Sequence, residues 1–172
     1  MSPTPQLRRG LVDDVLAAVR APEVRLVVLT GDPGVGKSHL LEVVARELGA
    51  DRAWGVRGLA DVPLGALAHL IPPASTRIQL LRSLLTRIGP VLCVDDLPEC
   101  DALSQSLIHR LTLESERTVI ATVRSNSTFP QRELLLERPE TRVIPVPTLT
   151  REEADELVRT QLEGDPDITL LD

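Results

Sequence analysis

A chain of 172 residues, 42% hydrophobic and 26% charged, has the composition of one globular domain with a sizeable core. Its net charge of −6 and sequence pI of about 5.1 exclude a nucleic-acid-binding surface carried by this chain alone. The near lack of aromatics (Trp54 and Phe129, with no Tyr) excludes a stacking platform for single strands, and any base would have to rest on aliphatic side chains.

Residues 1–7 read as a loose lead-in. Leu11, Val12, Val15, Leu16 and Val19 recur at helical spacing, which predicts a helix over 11–20 that Ala21-Pro22 stops. The apolar, β-branched run Val24–Thr30 predicts a buried strand, and His39–Leu48 a helix with Gly49 at its C-terminal stop. Between them lies Gly31-Asp-Pro-Gly-Val-Gly-Lys-Ser38, which fits the pattern G-x-x-x-x-G-K-[ST] in its proper strand, loop and helix setting. That arrangement aims successive backbone N–H groups and a helix N-terminus at a polyphosphate. Gly31, Pro33, Gly34, Val35, Gly36, Lys37, Ser38 and His39 are the candidate phosphate-contacting residues. Lys37 is expected to reach the terminal phosphates and the Ser38 hydroxyl to hold Mg²⁺. Lys37 is also the only lysine of the chain, placed where a compact ammonium on a flexible stem suits the chemistry.

Arg52–Arg57 is a weaker strand candidate. Residues 58–74 read as a proline-containing loop with one short helix from Leu64 to Ile71. Ile78, Leu81, Leu84, Leu85 and Ile88 share one face of a helix over 75–88 that Gly89-Pro90 ends. Val91-Leu-Cys-Val-Asp-Asp96 predicts a strand buried on both faces whose tip projects two carboxylates. Leu97-Pro98 opens a loop, and a helix from Asp101 carries Leu103, Leu107, Ile108 and Leu111 inward. Arg117–Arg124 is another buried strand with a basic end; 125–130 is a loop and 131–138 a short helix. Thr141–Val146 is a last strand, its Pro145 favouring a sheet edge. Thr150-Arg-Glu-Glu153 is a capping box opening a helix through Leu162. Five strands interleaved with helices predict an α/β doubly wound parallel sheet with helices on both faces. Residues 1–148 form its core, with the lead-in and first helix over 1–22, and 149–172 a C-terminal helix and tail.

In such sheets ligands sit at the C-terminal ends of the strands. Those ends carry the glycine loop, Asp95-Asp96 and Arg124. Asp95 is the natural partner of the Mg²⁺ held by Ser38, either direct or outer-sphere, and Asp96 is placed to polarise an attacking water. Arg124 either contacts the terminal phosphate or pairs with Asp95 or Asp96. Asp101 reads as a helix cap. Arg77, Arg82 and Arg87 lie on one helix and are candidates for serving a partner's site. Cys93 and Cys100 do not make a disulfide framework, and His39, His69 and His109 are scattered, so no Cys/His metal site is expected. No apolar run is long enough to span a bilayer, the N-terminus lacks the shape of a signal peptide, and a cytoplasmic location is expected.

The motifs carry a resemblance. Gly31–Ser38 resembles the Walker A box, Val91–Asp96 the Walker B box and Ala121-Thr-Val-Arg124 the sensor-one strand of AAA-type and STAND-type P-loop ATPases. Four segments, Val27–Ser38, Pro63-Leu-Gly-Ala-Leu-Ala-His-Leu-Ile71, Val94-Asp-Asp-Leu97 and Ala121-Thr-Val-Arg-Ser125, look most like the ATPase domain of large LuxR-type transcriptional regulators, over about residues 10–163. The resemblance implies a P-loop NTPase fold that binds ATP with Mg²⁺, hydrolyses it slowly and self-associates in the ATP state, with DNA bound by another domain. By match, Lys37 and Ser38 are the phosphate and Mg²⁺ contacts, Asp95 the metal-side acid and Arg124 the sensor. Two departures stand out. Many AAA relatives have Glu where this chain has Asp96, and a shorter acid fits a slow timer. Leu7-Arg-Arg-Gly10 stands where relatives often have a Gly-Arg-Glu box that contacts the base. The helical lid, winged-helix and DNA-binding parts of such regulators would lie past residue 172, as in an excised domain or a shortened protein, so weak affinity is expected of this chain. An ATPase stimulated by a protein or nucleic-acid partner, and a module that binds nucleotide without hydrolysis, are the alternative readings.

Overall fold

The computed structural model describes residues 9–71, 79–129, 132–148, 150 and 151, without the side chain of Leu81. Its elements in chain order are α1 (Arg9–Arg20), β1 (Leu26–Gly31), α2 (Lys37–Leu48), β2 (Asp51–Trp54), α3 (Leu80–Arg87), β3 (Val91–Asp95), α4 (Ala102–Glu114), β4 (Thr118–Arg124), α5 (Arg132–Leu136) and β5 (Thr141–Pro145). The five strands form one sheet in the order β2-β3-β4-β1-β5, and every pairing is parallel. The doubly wound α/β architecture of P-loop NTPases is thus the observed one.

The apolar runs work as strands because side chains alternate across a sheet covered on both faces. Leu26 and Val28 of β1, Leu92 and Val94 of β3, and Val119, Ala121 and Val123 of β4 enter the core on one face. That core also takes in Leu84 and Ile88 around α3 and Leu107, Ile108 and Leu111 of α4. Val27 and Leu29, Val91 and Cys93, and Ile120 point the other way, to meet Val15 of α1 and Leu40 and Val44 of α2. Each fully buried Leu, Ile or Val contributes about 2 kcal/mol by leaving water. Pro145 falls on β5, an edge strand, where its missing N–H costs no ladder bond.

Several boundaries differ from the sequence reading. β2 ends at Trp54 rather than Arg57. Gly55 leaves the sheet to donate its N–H to the Asp95 carbonyl at 2.8 Å. A Cβ there would run into the Asp96 carbonyl and approach the Cys100 nitrogen to 2.9 Å, so this crossing requires glycine. The apolar stretch after Pro63 is a 3-10 helix, Gly65–Leu70, burying Ala66, Leu67 and Leu70. Leu97-Pro98 begins a 3-10 turn, Leu97–Glu99, rather than an open loop. α2 starts two residues earlier than predicted, at Lys37, and ends at Gly49 in the left-handed conformation (φ 60°). Arg77, Ile78 and the capping-box helix past Arg151 lie outside the described residues, as do most of the lead-in and the tail.

Asp101 caps α4 as read, accepting from the Ser104 N–H at 2.9 Å, and also from Leu64 N–H at 2.8 Å and Ala66 N–H at 3.4 Å. One carboxylate thereby ties α4 to the 3-10 helix. Burial pushes the Asp101 carboxyl up, but the hydrogen bonds from Ser104, Leu64 and Ala66 outweigh it and leave the pKa below the ordinary Asp value. Among the described residues no helix is long and apolar enough to cross a membrane. Cys93 and Cys100 are free and buried, and burial raises both thiols to about 12.

Candidate nucleotide site

Strand order builds the site. β4 lies between β1 and β3, so the glycine loop that follows β1 and the acids that end β3 face each other across the tip of β4. Gly31, the last residue of β1, has no room for a side chain: a Cβ would lie 2.7 Å from the Val146 carbonyl. Gly34 (φ 83°) and Gly36 (φ 86°) turn the loop through left-handed conformations that side chains resist, and Gly36 is the N-terminal cap of α2. Pro33 is exposed, whereas Val35 is buried in the α1/α2 core and anchors the loop. The loop is buried on one side, at Val35, and exposed on the other.

Lys37 opens α2 with only 7% of its surface exposed. Its Nζ donates to the Gly31 carbonyl at 2.9 Å and the Asp32 carbonyl at 2.7 Å, curling under the loop. Burial, helped by the Arg124 charge and opposed above all by Asp96, lowers its pKa from the ordinary lysine value. An ammonium held this way gains from an anion that arrives in the loop.

Ser38 Oγ donates to Asp95 Oδ1 at 3.0 Å. The same carboxylate oxygen accepts from Thr122 Oγ1 at 2.6 Å, and Thr122 Oγ1 accepts from the Asp96 N–H at 2.8 Å. Thr122 is buried in the middle of β4, so its hydroxyl fixes both acids of the β3 tip at once. Asp96 itself has φ 48° and ψ 53°, an uncommon backbone state for a residue with a side chain. Its carboxylate pairs with Arg124, Nη2 to Oδ2 at 3.3 Å. Ser38 and Asp95 therefore share one side of the β3 tip, and Asp96 and Arg124 the other.

Two hollows flank that tip. One of about 230 Å³ is lined by Ser38, His39, Trp54 and Asp95, among others. The other, of about 520 Å³, takes in Pro33, Asp96, Glu99 and Arg124. A larger hollow of about 1100 Å³ lies between α4, the 125–129 loop and α5, away from the glycine loop. The donor set beside Ser38 fits Mg²⁺: a hydroxyl and a carboxylate, both hard oxygens, close enough to share an ion that keeps its remaining positions for phosphate and water. Among the described residues no group of three or more His, Cys, Asp or Glu side chains gathers to hold a metal ion.

The family of AAA ATPase domains matches residues 6–160. The chain belongs to that family. No curated protein matches the chain closely enough to serve as a relative. Membership gives this AAA ATPase domain nucleotide binding and ATP hydrolysis as its chemistry, with Mg²⁺ as the usual companion of ATP.

Within the AAA ATPase domain the structure brings together Lys37, Ser38, Asp95, Asp96 and Arg124. His39 stands exposed at the rim. Arg82 and Arg87, exposed on α3, line neither hollow at the β3 tip. Three participants were missed in the sequence. Thr122 is one, and its only signal is a hydroxyl inside an apolar strand. The others are Glu99 and Arg57, which have no local signal. Glu99 Oε1 lies 4.0 Å from Arg124 Nη2 and takes a second guanidinium, that of Arg57, in a two-pronged pair at 2.9 and 3.2 Å.

Proposed function

We propose that this AAA ATPase domain is a slow, nucleotide-controlled switch. In this reading the loop from Gly31 to Gly36 and Lys37 hold the phosphates, and Ser38 with Asp95 holds Mg²⁺. Asp96 polarises the attacking water, Arg124 contacts the terminal phosphate, and His39 borders the nucleotide. Mg²⁺, when bound, neutralises charge on the phosphate oxygens. The chain's own part is positioning: Thr122 keeps the Asp95 carboxylate turned toward Ser38 and pins the backbone of Asp96.

The observation that carries the slow character is the Asp96–Arg124 pair at 3.3 Å. A carboxylate oxygen engaged by a guanidinium is not free to orient an attacking water. Release of Arg124 toward a phosphate would free the acid, so the same event would report the ligand and license the reaction. The likeness of Pro63–Ile71, Val94-Asp-Asp-Leu97 and Ala121–Ser125 to large LuxR-type regulators supports a place for this switch in a transcriptional regulator. Self-association in the ATP state belongs to the same reading.

The test is ATP binding by calorimetry with and without Mg²⁺, on the wild type and on Lys37→Ala, followed by phosphate release. Mg²⁺-dependent binding, weakened about a hundredfold in the variant by loss of two charge-assisted contacts, with slow release in the wild type, is expected. Wild-type binding in Lys37→Ala would overturn the reading. Binding without release would establish a nucleotide module that does not hydrolyse.

A further inference from the structure

The chain Arg57–Glu99–Arg124–Asp96 runs from an exposed turn to the heart of the site. Arg57 opens a 3-10 turn, Arg57–Leu59, and its side chain is 77% exposed. Glu99, the most buried of the four at 22% side-chain exposure, closes the 3-10 turn Leu97–Glu99. Its Oε1 is 2.9 Å from Arg57 Nη2 and 4.0 Å from Arg124 Nη2, so one oxygen faces two guanidinium groups. Arg57 holds both oxygens of Glu99 and Arg124 holds neither within hydrogen-bond distance. The two turns are also jointed through their backbones. Gly55 donates to the Asp95 carbonyl and packs directly on Asp96, Glu99 and Cys100. A movement of the 55–59 segment therefore moves Arg57 relative to Glu99.

We propose that Glu99 is a positioning residue that competes for Arg124, and that Arg57 sets the strength of that competition. The inference rests on the reading of Arg124 as the terminal-phosphate contact. Three acidic claimants then surround one guanidinium: Asp96, Glu99 and the phosphate. While Arg57 saturates Glu99, Arg124 is left to Asp96 and the phosphate. When Arg57 withdraws, Glu99 regains a free oxygen close enough to take Arg124 for itself, and the domain loses its grip on the group that distinguishes ATP from ADP. While the pair is made, the Arg57 hydrogen bond keeps the Glu99 carboxyl below its ordinary range. The 55–59 turn would thus tune nucleotide preference without touching nucleotide.

The decisive quantity is the ratio of affinities for an imido-bridged, non-hydrolysable ATP analogue and for ADP, both with Mg²⁺, in four forms of the full chain. Arg57→Ala should lower the ratio by about two- to fivefold, the range a half-exposed ion pair supplies. Glu99→Gln should leave the ratio near its wild-type value, because Arg57 already occupies that acid. The double variant should match Glu99→Gln, because Arg57 acts only through Glu99. Arg124→Ala should bring the ratio toward one. A merely structural role would change melting temperature and leave the ratio alone. An unchanged ratio in Arg57→Ala, with Arg124→Ala still altering it, would overturn the coupling and leave the sensor reading standing. An unchanged ratio in Arg124→Ala would overturn both. Arg110→Ala, which breaks an exposed pair with Glu114 on α4, serves as the control and should leave the ratio unchanged.

Discussion

Arg117 immediately precedes β4 and Arg124 closes it, so one strand carries the same side chain at both ends. Arg117 donates to three backbone carbonyls, those of Leu85 at 2.7 Å, Gly89 at 3.1 Å and Ile88 at 3.4 Å. These are fixed, neutral acceptors at the C-terminal end of α3, where a cation also suits the helix dipole. Arg124 instead faces the carboxylates of Asp96 and Glu99, two charged side-chain acceptors beside a hollow of about 520 Å³. Satisfied by backbone, an arginine is a structural clamp. Given acids that could exchange partners, it is a part that can move. The contrast lies in the acceptors rather than in the arginine.

Removing the two guanidinium groups in turn should separate these roles most sharply. Arg117→Ala leaves partly buried carbonyls without a donor and should cost about 2 kcal/mol of stability in urea unfolding, with Mg²⁺-ATP affinity unchanged. Arg124→Ala should do the opposite, changing stability by less than about 1 kcal/mol while altering nucleotide preference. A large loss of stability in Arg124→Ala would erase the comparison.

A smaller effect is expected at Thr122, between the two ends. Thr122→Val keeps the shape and removes the hydroxyl that serves Asp95 and Asp96. Stability should fall by about 1 kcal/mol, and turnover by about tenfold, with ATP binding in the absence of Mg²⁺ unaffected. Thr122→Ser should restore turnover. Equal turnover in Thr122→Val would mean that the acids hold their places without it.

The smallest effect concerns pH. Lys37 has its folded pKa lowered below 10.5, by burial first and by Arg124 next. Below that folded value the ammonium is charged and phosphate affinity should be flat. As pH rises through it, the charge is lost and affinity should fall, at a lower pH than an ordinary lysine would give. For the free domain the sign reverses. Between the lowered folded pKa and 10.5 the unfolded chain holds a proton that the folded one has shed, so this group makes stability rise with pH. Titrations of affinity and of urea midpoint over that window check both slopes.

The strands and the glycine loop were legible because their signals are local. Val91–Val94 and Val119–Ala121 are continuous apolar runs since parallel strands are covered on both faces. The loop is legible because glycine takes the left-handed backbone states found at Gly34 and Gly36 at no steric cost. What could not be read depends on strand order. Thr122 reaches Asp95 only because β4 lies beside β3, and Arg57 meets Glu99 across 42 residues of sequence. The early end of β2 has the same origin. Gly55 turns away because the backbone of Asp96 to Cys100 occupies the space ahead of it. Arg124 pairs with Asp96, a contact between two strand ends that no stretch of sequence by itself could select.

The left-handed backbone at Asp96 (φ 48°) bears on which acids the position tolerates. Aspartate and asparagine enter that conformation several-fold more often than other side chains, because a short polar group can bond to nearby backbone. Glutamate has no such advantage. Lengthening the acid to reach a water better would therefore strain the turn that carries Glu99, and a faster acid would come with a looser joint. At this corner side-chain length and backbone handedness are one choice, and in the proposed switch a slow reaction is the companion of a well-made turn.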